Sequence, residues 1–185
     1  MKRLLCGLAL VLGSVLVPNL HAQSGAYDLH ADPGYVDFDR LADWFGEPAR
    51  LEVNIKGALL RLVAEASRYE DPELSDMLTK VTAIQVRGFP LRRSQFETME
   101  TKADDWASTL SESGWDTIVR VRNRYEYVNM FVRTRDDAIA GMVVMVLEPG
   151  EDETIFLNIV GEIDPAQVGR IGRRFDLDLA YDSDY

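Results

Sequence analysis

The order of apolar and polar residues along the chain predicts a domain that mixes strands and helices. Leu51, Val53 and Ile55 alternate with polar residues, which is typical of a half-buried strand. The stretch from Ala58 to Tyr69 repeats its apolar residues at three- and four-residue spacing, which predicts an amphipathic helix. Applied to the whole chain, the two periods predict helices around 38–45, 58–69, 72–81, 96–110 and after Asp164-Pro165, and strands around 51–56, 83–89, 115–122, 125–134, 139–148 and 154–161.

The order of these elements predicts the fold class. The four strands between 115 and 161 follow one another with short connections, and such strands pair antiparallel. The helices then have a sheet face to cover. We therefore predict a single α+β domain, a two-layer sandwich with a mostly antiparallel sheet, a C-terminal strand meander and helices packed on one face.

The first 22 residues have the features of a secretory signal peptide. Lys2 and Arg3 precede the uncharged run Leu4–Val17, Pro18 ends that run, and Ala22 offers a small residue for cleavage. An uncleaved anchor is the alternative, although the run is short for a bilayer span. We predict a protein of the bacterial periplasm, cleaved near Ala22 and without a stable membrane anchor afterwards. A secreted protein would carry the same signal.

This interpretation divides the chain into four segments. Residues 1–22 are the signal peptide, and residues 23–50 form an N-terminal arm with a short amphipathic helix. Residues 51–177 form the α+β domain, and residues 178–185 are an acidic tail.

The charge balance excludes one class of partner. The 185 residues include 31 acidic and 20 basic side chains, a formal net charge of -11. Loss of Lys2 and Arg3 with the signal leaves 18 basic and 31 acidic residues, so the exported chain carries -13. Proteins that bind nucleic acid usually carry a basic footprint, so we expect no nucleic-acid partner.

The side chains available for catalysis are mainly carboxylates. Cys6 is the only cysteine and lies in the predicted signal, and His30 is the only histidine after it, so nucleophilic triads and zinc sites lack their usual residues. No glycine-rich phosphate loop follows a strand. We predict no catalytic residue, metal or cofactor, and a non-enzymatic binding protein. Two alternatives stay open: a carboxylate-based hydrolase or divalent-cation-binding protein, and a structural or lipid-binding envelope protein.

One face of the predicted sheet has a distinctive composition. If the valines and isoleucines of each strand point towards the helices, the opposite face carries Lys56, Arg87, Arg120, Arg122, Tyr127 and Arg133. Guanidinium groups bind carboxylates and phosphates through two parallel hydrogen bonds. We predict that this exposed face binds an anionic or protein partner. The alternative is an ordinary solvated face, on which Glu52 and Glu126 pair with these cations.

Four segments carry a resemblance to a known family. They are Glu52–Gly57 leading into Leu59–Val63, then Val81–Arg87, then Gly114-Trp115 before the arginine-bearing strand, and finally Asn158–Pro165 with Ile171 and Phe175. Together they cover about residues 36–177 and resemble the DUF4252 family. The resemblance implies an exported bacterial domain without an assigned biochemical activity, and it supplies no catalytic residues. The partner we expect is another protein of the bacterial envelope.

Overall fold

The computed structural model describes residues 27–124, 126–136, 138–149 and 154–163. The helices in these residues are α1 (Leu41–Phe45), α2 (Ala58–Ser67), α3 (Pro72–Lys80) and α4 (Phe96–Glu112). The strands are β1 (Leu51–Lys56), β2 (Val81–Phe89), β3 (Asp116–Arg122), β4 (Tyr127–Arg135), β5 (Ala138–Leu147) and β6 (Thr154–Ile163). Short 3-10 turns cover Leu29–Ala31 and Arg93–Gln95.

The strands form one sheet in the order β1-β2-β6-β5-β4-β3. Every neighbouring pair is antiparallel, and β3 to β6 form the predicted meander. The last strand enters between β2 and β5, which joins the two halves of the chain into one sheet. The α+β class and the antiparallel sheet with helices are therefore confirmed.

Helices cover both faces of this sheet, so the prediction that they pack on one face is wrong. On one face, α2 and α3 bury Leu60 and Leu78 against Met142, Val144 and other strand residues of the same parity. On the other face, α1 and α4 form a second core with the alternate strand residues. Its members include Leu41 and Phe45 of α1, Phe96, Met99 and Leu110 of α4, and the strand residues Tyr127, Phe131, Val143, Met145 and Phe156. The physical reason is that β4 and β5 are apolar at successive positions, so each of their faces requires a cover.

The N-terminal arm is part of the second core. Val36 and Phe38 are buried there, and Phe38 packs edge-on against Phe156 with ring centroids 6.4 Å apart. Gly34 lies so close to Gly141 of β5 that a Cβ at position 34 would come within 2.0 Å of the Ala140 carbonyl oxygen. Only glycine allows the arm to approach the sheet this closely.

Several predicted segments lie outside the described residues. They are the signal peptide, the helix predicted after Asp164-Pro165 and the acidic tail. In the part of the chain that the structure describes, no helix has the length and apolar character needed to cross a membrane.

Candidate binding surface

The six predicted binding residues share one face of the sheet but lie at its two opposite edges. Lys56 and Arg87 belong to β1 and β2, whereas Arg120, Arg122, Tyr127 and Arg133 belong to β3 and β4. Strands β6 and β5 lie between the two groups. Since neighbouring strands are about 4.8 Å apart, β2 and β4 are about 14 Å apart.

The prediction of a continuous exposed face is corrected by what covers its centre. The arm, α1 and α4 pack over the middle of this face. Tyr127 is fully buried beneath them, while Arg87 and Arg133 are half-buried and Lys56, Arg120 and Arg122 are exposed. The face therefore offers two separate groups of cations and not one flat surface.

A chain of hydrogen bonds joins the β3–β4 edge to α4. The Tyr127 hydroxyl donates to Asp104 Oδ1 at 2.9 Å and accepts from Asn129 Nδ2 at 2.6 Å. Asn129 Oδ1 in turn accepts from Arg120 Nε at 3.2 Å. Each buried polar group is thereby paired, and the bonds fix α4 against β4.

Arg122 closes the surface side of the same junction. Its Nε lies 2.8 Å from Glu100 Oε1, and its guanidinium also forms an ion pair with Asp104. The guanidinium carbon is 5.5 Å from the centroid of the Tyr127 ring, which adds a cation–π contact. Glu100 and Asp104 are one helical turn apart, so both reach Arg122 from the same side of α4.

The electrostatics of this junction favour a neutral Tyr127 and a charged Arg122. Burial, followed by the hydrogen bond and the charge of Asp104, raises the pKa of Tyr127 well above its ordinary value of 10.0. The hydrogen bond to Asp104 is the largest cause that raises the pKa of Arg122. Tyr127 consequently stays a neutral donor and Arg122 a cation over the physiological range of pH.

An open groove of about 500 Å³ runs between α4 and β3 beside this junction. Its lining residues are Asp104, Ala107, Ser108, Ser111, Glu112, Arg120 and Arg122. Arg120 is the lining residue best placed to bind an anion. Its Nε donates to Asn129, and no carboxylate in the described residues forms an ion pair with its guanidinium. Its remaining donors are available to a ligand in the groove.

The last of the β3–β4 group, Arg133, has a packing role. Its guanidinium lies next to Gly114, where a Cβ would come within 3.3 Å of a terminal nitrogen. Gly114 follows α4 and has φ 84, a left-handed conformation that favours glycine. Its lack of a side chain also leaves room for the Arg133 guanidinium.

The other group lines a smaller cleft at the β1–β2 edge. Lys56 and Arg87 share this space of about 260 Å³ with His30 and Tyr35 of the arm. Arg87 Nη1 donates to the Val86 carbonyl oxygen at 3.0 Å and to Asn54 Oδ1 at 3.3 Å. These bonds orient Arg87 along the strand surface.

In the described ranges, no group of three or more His, Cys, Asp or Glu side chains is placed to hold a metal ion.

The fold and the junction lie within a segment that matches a protein-family model. The match covers residues 45–171 and is described as a domain of unknown function, DUF4252. The chain belongs to the DUF4252 family. Comparison with curated proteins gives no match to this chain. The elements of the α4–β3 groove all fall within the DUF4252 match, whereas most of the arm precedes it.

Sequence reasoning missed the α4 side of the α4–β3 groove. Glu100, Asp104, Ser108 and Ser111 recur every three or four residues on the polar side of α4. That spacing places the four side chains in one stripe along the helix surface. This periodicity is the sequence signal from which they could have been identified as one group. The stripe could not be matched to β3 from sequence, because its partner depends on where α4 crosses the sheet.

Proposed function

We propose that this chain is an exported, non-catalytic binding protein of the bacterial envelope, and that its α4–β3 groove recognises carboxylate groups on a protein partner. The observation that carries the proposal is Arg120, an exposed guanidinium that is oriented by Asn129 and lies in an open groove without an acidic partner among the described residues. An oriented guanidinium loses little conformational entropy when it binds a carboxylate through two bonds.

The position of Arg120 on an edge strand supports an extended segment as the ligand. In the described part of the sheet, β3 pairs with β4 and has no strand on its other side. Ile118 and Val121 of β3 are exposed apolar residues, 47% and 36% accessible. An acidic peptide that adds to this edge would gain main-chain hydrogen bonds from the strand and a side-chain contact from Arg120.

The state of the groove's carboxylates supports binding in place of hydrolysis. Asp104 accepts from Tyr127 and pairs with Arg122, and Glu100 also pairs with Arg122. A general acid or base must be able to exchange its proton with a substrate. Carboxylates that hold a helix to a sheet are poorly suited to that task.

The binding test uses a defined acidic peptide. A fluorescein-labelled extended peptide with glutamate at alternate positions is titrated with the protein, and its anisotropy is measured beside that of the glutamine version. We expect the glutamate peptide to bind at least about tenfold more tightly, and its affinity to fall as salt is added. Arg120→Glu should abolish this preference. The matched control is Arg61→Glu, which changes an exposed arginine of α2 on the opposite side of the sheet.

Two results would contradict the binding proposal. One is equal affinity for the glutamate and glutamine peptides. The other is a glutamate preference that survives Arg120→Glu with the fold intact by circular dichroism.

Export is tested separately, by expressing the full chain in a Gram-negative bacterium and fractionating the cells. We expect the protein in the periplasmic fraction, with an N-terminus near Gln23 by mass spectrometry, because the first residues resemble a cleavable signal. An intact N-terminus on a cytoplasmic protein would contradict the export proposal and leave the peptide test unaffected.

A further inference from the structure

We infer that two copies of this chain associate through β1, with the two β1 strands antiparallel about a twofold axis at Asn54. Strand β1 pairs with β2 and lies at the end of the described sheet, so one side of its backbone has no partner strand there. Exposed strand edges of this kind are templates for pairing with another chain. This surface is distinct from the α4–β3 groove, which lies at the opposite edge.

The charges of β1 are complementary to a second copy of β1. Glu52, Asn54 and Lys56 are exposed and occupy alternate positions on one face. When two such strands pair antiparallel with Asn54 opposite Asn54, each Glu52 lies directly opposite the Lys56 of the other copy. In the described residues, neither Glu52 nor Lys56 has an ion pair within its own chain.

Other registers lose this complementarity. A shift of the axis to Val53 places Lys56 opposite Arg50, and a shift to Glu52 or Lys56 places like charges opposite each other. The axis at Asn54 also pairs Val53 with Ile55 on the other face, where both side chains are half-buried in the single chain. The register with favourable charge pairs is therefore also the one with apolar pairs behind them.

Helix α2 supplies an apolar surface beside the same edge. It follows β1 directly through Gly57, whose φ of 57 makes the sharp turn. Its buried side contributes Leu60 to the core, yet the apolar residues Leu59, Leu62 and Val63 remain 47%, 65% and 36% exposed.

A twofold axis through Asn54 and normal to the sheet keeps both α2 helices on the same side of the joined sheet. The exposed residues of one α2 then have an identical apolar surface to meet, as in other isologous dimers. One pairing thus accounts for the open edge, the charge pattern and the exposed apolar residues.

The first experiment reverses the charges of β1 one at a time. We expect the wild-type protein to dimerise in analytical ultracentrifugation between about 1 μM and 1 mM, and Glu52→Lys and Lys56→Glu each to raise the dimer Kd at least about tenfold. An equimolar mixture of the two variants should dimerise again, because every contact across the axis then joins opposite charges. Glu97→Lys, an exposed change on α4, is the control and should behave as wild type.

The second experiment locates the axis with a single cysteine. Cys6 is first replaced by serine, so that the introduced thiol is the only one in the full chain. Asn54→Cys should form a disulfide-linked dimer under mild oxidation, because the two residues face each other at about 4.5–5.5 Å. Glu52→Cys is the matched control, since its two copies would be about 14 Å apart and should not crosslink.

The proposal is overturned if the wild-type protein stays monomeric over the whole concentration range. It is also overturned if both single charge reversals dimerise like wild type, or if Glu52→Cys crosslinks as readily as Asn54→Cys. Circular dichroism of each variant establishes that a lost dimer reflects a lost contact and not a lost fold.

Discussion

The side-chain amide of Asn158 donates to the carbonyl oxygen of Gly34 at 2.9 Å, which ties the N-terminal arm to the central strand β6. The other end of the same amide accepts from the Val36 backbone N–H at 3.0 Å. Gln85 of β2 adds a donor to the Val36 carbonyl oxygen at 2.7 Å. Two buried amides on neighbouring strands thus replace the strand partner that the arm lacks.

Asn158→Ala should release the arm and destabilise the fold. The substitution leaves the Val36 N–H and the Gly34 carbonyl oxygen buried without their partner, and each such group costs about 1–3 kcal/mol. We expect the free energy of unfolding in urea to fall by about 2–4 kcal/mol. The Val36 amide should also exchange its hydrogen faster than amides of β5.

The control for this prediction is Asn54→Ala, which changes an exposed asparagine of β1 whose side chain accepts a hydrogen bond from Arg87 at 3.3 Å that is also exposed to solvent. It should shift the free energy of unfolding by less than about 0.5 kcal/mol under dilute conditions. Equal stability of the Asn158→Ala variant and the wild type would show that the arm is not held by these bonds.

Tyr127→Phe isolates the contribution of one buried hydroxyl to the junction between α4 and β4. The change removes the donor to Asp104 and the acceptor for Asn129 while keeping the ring in the core. We expect a loss of about 1–3 kcal/mol in urea unfolding, because buried Asn129 loses a partner. Tyr69→Phe removes a hydroxyl from a side chain that is 90% exposed and should have no measurable effect. A loss of equal size in both variants would contradict the assigned role.

The faces of the strands could be predicted from the sequence, because side-chain parity is a local property. Arg120, Arg122 and Tyr127 lie on one face of β3 and β4, as the period of two requires. What covers that face is not local. The two-sided cover was nevertheless indicated by β5, whose successive residues from Met142 to Met145 are all buried.

The separation of the predicted residues into two groups could not be predicted in this way. It depends on β6, which follows β5 in the chain but also pairs with β2. Only that second pairing places Arg87 and Arg120 on opposite sides of a shared core. Similarly, the role of Asp104 depends on where α4 crosses the sheet, which packing of the whole core decides.

A double-mutant cycle should show that the Arg122–Glu100 pair is a modest contributor to stability. Arg122 Nε is 2.8 Å from Glu100 Oε1, but the side chains are 47% and 21% exposed. Solvent screening limits such pairs to about 0.2–1 kcal/mol. We expect Arg122→Gln, Glu100→Gln and the double variant to give a coupling energy in this range, which falls when salt is raised to about 1 M. A coupling energy of zero at low salt would contradict the pairing.

The stability of the fold should decline in alkaline solution, and Tyr127 should account for part of the decline. Its pKa in the folded protein is raised above the ordinary 10.0, chiefly by burial, so the folded state holds this proton more tightly than the unfolded chain does. The associated stability is fully present below pH 10 and is lost as the pH rises from there towards the folded pKa. Tyr127→Phe should therefore lose less unfolding free energy than the wild type between about pH 9 and pH 11.5, measured by urea titration. Identical slopes against pH in the two proteins would show that this tyrosine titrates as freely in the fold as in the unfolded chain.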